Sequence, residues 1–143
     1  MKTVRDLLRE KGNEVWSVSP EASVFEALET MAEREIGALV VMDGEALVGI
    51  FSERDYARQV ILKGKASRDT LVAQVMTSNV LGVQLESNVE ECMQIMTAKR
   101  VRHLPVLVGG KLSGLVSIGD VVKAVIADKQ SHIEELESYI AQG

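Results

Sequence analysis

Two short phrases in this sequence share one frame. Gly49-Ile50-Phe51-Ser52-Glu53-Arg54-Asp55 and Gly114-Leu115-Val116-Ser117-Ile118-Gly119-Asp120 each run glycine, two apolar residues, serine, two variable residues, aspartate. Ser followed three residues later by an acid is a helix-starting pattern, with Asp here in place of the usual Glu or Gln. The same geometry can also recognise a ligand. A helix start carries unpaired N–H groups and the positive end of the helix dipole, which attract phosphate. The Ser hydroxyl can donate to a phosphate or ribose oxygen, and an ionised Asp, acceptor-only, suits the two hydroxyls of a ribose. The glycine is expected to let the strand end come close to a ligand. One such phrase is accounted for by a helix cap. Two at equivalent places weigh toward ribose-phosphate binding.

The phrases belong to a longer duplication. Shifted by about 65 residues, Val15–Ile61 falls on Val80–Ile126 without a gap, and about a third of the positions are identical. Each copy predicts the order β-α-β-β-α. Val15–Val18 and Val80–Val83 read as short extended pieces. Ser23-x-x-Glu26 and Asn88-x-x-Glu91 open helices whose apolar faces are Val24, Ala27, Leu28 and Met31, or Val89, Cys92, Met93 and Met96. Hairpins follow around Asp43-Gly44-Glu45 and Gly109-Gly110-Lys111. The second helices are expected at Glu53–Leu62 and Ile118–Asp128. A mixed α/β (α+β) fold follows, two pseudo-symmetric repeats packed sheet to sheet, since neither half is large enough to be comfortable alone.

Flanking segments complete the reading. Thr3–Glu10 and Thr70–Met76 are short helical leads into the two copies, and Lys63–Arg68 is a linker. Ser131–Gln142 is an amphipathic tail with Ile133, Leu136 and Ile140 on one stripe. The expected division is residues 1–66 for the first repeat with its N-terminal helix, 67–130 for the second, and 131–143 for the tail.

Composition narrows the function. The chain has 143 residues, net charge −5, 46% apolar residues and 3% aromatics, so its core is aliphatic. No apolar run approaches the ~18 residues of a membrane helix, and the first residues hold no secretory h-region. One cysteine excludes an internal disulfide, and with His103 and His132 alone beside it a zinc site is not expected. An acidic chain poor in aromatics is a poor nucleic-acid binder. The expectation is a reduced, cytoplasmic protein with no membrane or nucleic-acid partner. Catalysis is not expected either: there is no P-loop, no metal-ligand cluster and no nucleophile–base pair. Glu53 and Asp55 lie next-but-one on a helix and do not face each other.

The two segments Glu35–Ile61 and Arg100–Val125, with their Gly-apolar-apolar-Ser-x-x-Asp endings, resemble the first and second repeats of a tandem pair of cystathionine-β-synthase (CBS) domains, the Bateman module. The similarity runs from about Val15 to Ala127 and is strongest to the stand-alone type. The resemblance implies a non-catalytic regulatory sensor that binds an adenosine-containing ligand (AMP, ADP, ATP, NAD(H) or S-adenosylmethionine) in clefts between the repeats. It implies a homodimer, and a separate, unidentified regulated protein.

Carried over by position, one cleft would use Ser117 and Asp120 for ribose and phosphate, with Arg102 and His103 adding phosphate contacts. Its adenine would lie near Asn13, Val15, Trp16, Ile36, Gly37 and Ala38. The other would use Ser52, Arg54 and Asp55, with adenine near Thr77, Asn79, Leu81 and Val101. Gly37-Ala38 stands where the second repeat has Arg102-His103, so the Asp120 cleft is expected to be the tighter, and these cations favour phosphorylated ligands over S-adenosylmethionine. Plainer readings stand beside several of these. Lys99 and Arg100 suit a solvated helix end. Trp16 could stack on a base or simply pack. Cys92 reads as a small core hydrophobe. The alternative function is a protein-interaction module with vestigial clefts, acting through its surface and tail.

Overall fold

The computed structural model describes residues 2–142. Helix α1 (Val4–Lys11) starts at Thr3, whose N–H and hydroxyl donate to the Asp6 carboxylate at 3.0 and 3.1 Å. Helices α2 (Val24–Arg34) and α5 (Val89–Lys99) start where their caps require. The Glu26 N–H donates to Ser23 Oγ at 3.1 Å, and the Glu91 N–H to Asn88 Oδ1 at 2.8 Å. Both end at an equivalent non-glycine residue in the left-handed region, Glu35 (φ 55°) and Arg100 (φ 54°).

Each cap is followed by a hairpin. Strands β2 (Ala38–Asp43) and β3 (Ala46–Ser52) pair antiparallel across Gly44, and β4 (His103–Val108) and β5 (Lys111–Ser117) form the second hairpin. Gly109 and Gly110 both have positive φ, 58° and 79°, the requirement of a type I′ turn. The first repeat adds β1 (Ser17–Val18), parallel to β2, giving a three-stranded sheet.

The second repeat departs from the expected pattern. Val80–Val83 contributes only one parallel bridge, Val83 to Val106. In the first repeat the Val40 N–H donates to the Trp16 carbonyl at 3.3 Å. The residue equivalent to Val40 is Pro105, which has no N–H, so the ladder stops one bond short. The C-terminal region differs too. Ile118–Gln142 is one continuous helix, α6, with no break between the expected second helix and the tail. Lys129, Gln130 and Ser131 contain neither glycine nor proline to end it. Its first-repeat counterpart is short: α3 (Glu53–Tyr56) passes into a π-helical turn, Ala57–Ile61.

The chain divides into two compact units. One comprises Glu14–Leu81 with the hairpin tip Gly109–Leu112; the other comprises the chain up to Asn13, Gly82–Val108, and Ser113 onward. The first is built around Val24, Ala27, Met31, Leu39, Val41, Phe51 and Val60, joined by Val72 and Val75 of helix α4 (Val72–Val75). The second is built around Val89, Cys92, Met96, Leu104, Val106, Val116 and Val121, joined by Val4, Leu7 and Leu8 of α1. The leads are therefore exchanged: each repeat is completed by the segment that precedes the other one. The exchange follows the same rule twice. The Val24 N–H donates to the Thr70 carbonyl at 2.8 Å, and the Val89 N–H to the Lys2 carbonyl at 3.0 Å.

The exchange corrects one expectation from sequence. The glycines of the repeated phrase do not open a strand to a ligand. A Cβ on Gly49 would lie 2.6 Å from Met76 Sδ and 2.9 Å from the Thr77 carbonyl oxygen, and one on Gly114 would lie 2.9 Å from both Leu8 methyls. Both glycines make room for an exchanged lead, with Met76 and Leu8 in corresponding places.

Candidate functional site

The Ser-x-x-Asp phrases build the same structure in both units. At the start of α6 the Ser117 N–H and hydroxyl donate to Asp120 Oδ2 at 2.8 and 2.9 Å, and the Asp120 N–H returns a bond to Ser117 Oγ at 3.2 Å. At α3 the Ser52 N–H and hydroxyl donate to Asp55 Oδ2 at 3.0 and 3.1 Å, and the Asp55 N–H donates to Ser52 Oγ at 3.2 Å. The cap is thus real in both copies. It also decides what the serine can do. A hydroxyl has one proton, and here that proton goes to the carboxylate, so the serine orients the aspartate.

The residue just before the first strand of each hairpin supplies a second constraint. The first N–H of each helix is used inside its unit: Glu53 donates to the Gly37 carbonyl at 3.0 Å, and Ile118 to the Arg102 carbonyl at 2.8 Å. At α6 the Asp120 N–H is bound to Ser117, so among the first three positions Gly119 supplies the remaining donor. A Cβ there would meet only Ser117 Oγ, at 3.6 Å, so no other described side chain crowds Gly119. The positive end of a 25-residue helix is suited to an anion.

Each aspartate receives a third bond, from an exchanged lead. Thr77 Oγ1 donates to Asp55 Oδ1 at 3.1 Å. Lys11 Nζ donates to Asp120 Oδ2 at 2.6 Å and to the Leu115 carbonyl at 2.8 Å. Thr77 is among the residues that the sequence places at the Asp55 site. Lys11 was missed: a lysine in the last turn of a helix is the ordinary complement of the helix dipole, and only the exchange of α1 shows its destination.

Burial raises the Asp120 pKa, but the Lys11 hydrogen bond, the Ser117 N–H, the Lys11 charge and the Ser117 hydroxyl together hold the carboxyl below the ordinary 3.8. The folded state therefore binds its proton less readily than the unfolded chain. The resulting stability is present above about pH 4 and is lost as pH falls through the lowered value. Urea unfolding of the wild type and Asp120→Asn should differ most at neutral pH and converge toward pH 3; a pH-independent gap would contradict the assignment.

The other expected residues distribute between the units. Arg102, His103 and Asn13 share a unit with Ser117 and Asp120, as does Val101. Arg54, Thr77, Asn79 and Leu81 share one with Ser52 and Asp55, as do Val15, Trp16 and the Ile36–Ala38 segment. Trp16 has one ring face covered by the Arg34 guanidinium, 3.9 Å from the ring centre. Cys92 is fully buried, and burial first, then the nearby Glu91 charge, pushes its thiol pKa up, so it is an inert core residue. A cavity of about 420 Å³ lies along Val89, Val125, Asp128 and His132, and none of the expected site residues lines it. Among the described residues no group of three His, Cys, Asp or Glu is placed to hold a metal ion, and no helix is long and apolar enough to cross a membrane.

A duplicated β-α-β-β-α unit with an acid-capped helix start in each copy defines a tandem domain pair, and comparison with known proteins names the family. The sequence matches the CBS domain twice, over residues 4–61 and 72–127, and the chain belongs to that family. It is 36% identical over 151 residues to the CBS domain-containing protein CBSX3, mitochondrial, of Arabidopsis thaliana, covering 99% of this chain and 73% of that one. The crystal structure of the CBS domain NE2398 superposes with a TM-score of 0.84 at 51% identity, covering 87% of this chain and 98% of that one. The CBS domain pair of MJ0100, solved in complex with 5′-methylthioadenosine and S-adenosyl-L-methionine, shares the fold at 21% identity (TM-score 0.78, 90% of this chain, 98% of that one). A CBS domain pair is a regulatory module.

Proposed function

We propose that this protein is a non-catalytic sensor that binds an adenosine-containing nucleotide, AMP, ADP, ATP or NAD(H), at its two Ser-x-x-Asp helix starts. The observation that carries this reading is the pair of preoriented carboxylates. Asp120 and Asp55 are each held by three hydrogen bonds at a helix start and remain partly exposed. A fixed acceptor at a helix N-terminus matches a ribose diol joined to a phosphate. The ligands of the MJ0100 domain pair share the adenosine but carry no phosphate. The adenine would be taken by the residues that the family resemblance assigns to it.

Self-association belongs to the same reading. Equivalent apolar residues on α3 with its π-turn and on α6, Ile61 and Ile126, are 56% and 62% exposed. Such surface suits a homodimer more than bulk water. A single inert cysteine suits a reducing, cytoplasmic setting.

Isothermal titration of AMP, ATP, NAD, NADH and S-adenosylmethionine tests the proposal. Saturable binding of at least one phosphorylated member is the expected result. No heat from any of the five would leave both phrases as helix caps and favour the interaction-module alternative.

A further inference from the structure

The partner of Asp120 has a chemistry that its structural task does not require. Asp55 is held in the same orientation by a neutral hydroxyl, Thr77. Asp120 is held by an ammonium, Lys11. The two leads sit in register, with Leu8 and Met76 against Gly114 and Gly49. In that register the counterpart of Lys11 is Asn79, so one lead brings a cation to its aspartate where the other has an amide at the equivalent position. As a stabiliser the pair is modest: the side chains are 34% and 22% exposed, the range in which an ion pair adds little.

Resting on the nucleotide-binding reading above, we infer that Lys11 is a specificity-determining residue of the Asp120 site, selecting adenosine ligands that carry a phosphate over uncharged or cationic ones. Three features converge. All three bonds to the Asp120 carboxylate fall on Oδ2, and Oδ1 takes none of them. One oxygen is thereby left to accept from a ribose hydroxyl while Lys11 stays in place. The ammonium has three donors, and Asp120 and the Leu115 carbonyl use two. The third can serve a phosphate oxygen. A bare carboxylate beside a bound phosphate would repel it, and Lys11 cancels that charge where the ribose and phosphate meet. The same ammonium would repel the sulfonium of S-adenosylmethionine. The lowered pKa of Asp120 agrees with a site kept ionised and charge-paired.

The test compares ligands that differ only in the phosphate. AMP, adenosine and S-adenosylmethionine are titrated into the wild type, Lys11→Gln and Lys11→Arg, each with Asp55→Ala so that one site is read. Lys11→Gln should weaken AMP about tenfold, the size of one charge-assisted hydrogen bond at a partly exposed site, and leave adenosine within about twofold. S-adenosylmethionine should bind equally well or better. Lys11→Arg should keep most of the AMP preference. Circular dichroism checks that α1 still packs, which its buried Val4, Leu7 and Leu8 chiefly govern. Equal loss of AMP and adenosine, or AMP unchanged in Lys11→Gln, would overturn the assignment while leaving nucleotide binding intact. No binding of any ligand to the Asp55→Ala protein, or to the otherwise unaltered chain, would take down the site reading and this assignment together.

Discussion

Asp120→Ala should bind AMP about a hundredfold more weakly at its own site, with the chain still folded. The carboxylate would accept from ribose hydroxyls, and each hydrogen bond to a charged acceptor is worth about 1.5 kcal/mol or more, so losing two removes about two decades of affinity. The cost to folding is smaller. Ser117 would still accept from the first-turn N–H, and a weakened cap costs about 1 kcal/mol. Ser117→Ala should show a milder effect on binding, because Ser117 spends its proton on Asp120 and would act on a ligand only through that carboxylate. Asp55→Ala should remove the other site and leave the Asp120 site intact. Calorimetric titration of the three variants gives the order directly. AMP affinity indifferent to both aspartates would remove the ribose role.

The second large effect falls on the glycines that receive the exchanged leads. Gly49→Val should destabilise the protein by about 3 kcal/mol, and Gly114→Val by clearly less. At Gly49 the new side chain meets a backbone carbonyl, Thr77 O, within 2.9 Å. That segment is pinned by a reciprocal pair, Ile50 N–H to Thr77 O and Thr77 N–H to Ile50 O, both 2.9 Å. Overpacking there breaks hydrogen bonds as well as contacts. At Gly114 the obstruction is the branched end of Leu8, a side chain that can turn. Urea denaturation of both variants checks the order. If Gly114→Val were the more damaging, the account of the leads would be wrong. Gly49→Val should also loosen Thr77 from Asp55, whereas Gly114→Val leaves that contact untouched.

Much of this architecture is written locally in the sequence. Ser23, Asn88, Ser52 and Ser117 start helices where their short polar side chains predict, and Gly44 and Gly109-Gly110 turn the hairpins. These signals are readable because cap and turn energetics involve residues a few positions apart. The exchange of leads is not local. Leu7-Leu8 and Val72–Val75 are interchangeable apolar stripes, and nothing in either says which repeat it will complete. Two misreadings share that origin: Gly49 and Gly114 passed for ligand clearance, and α1 for a flank of the repeat that follows it. Lys11 went unread for the same reason. The shortened strand near Val83 was within reach, since Pro105 stands in the sequence where a ladder donor is needed. For the site, both serines and both aspartates were legible from the repetition. The division of labour between them came only from the direction of the hydrogen bonds.

The measurement closest to the central claim is an amide NMR titration of the ¹⁵N-labelled protein with AMP. Binding at the helix starts predicts saturating shifts of Ser117, Gly119 and Asp120, with Lys11 and its neighbours following, and shifts at Ser52–Asp55 and Thr77 if the second site fills. Gly119 should move most, because the N–H groups on either side of it, of Ile118 and Asp120, are already bonded within the fold. Shifts confined to the Lys129–Gln142 part of α6, or none at all at saturating AMP, would contradict nucleotide binding by these phrases.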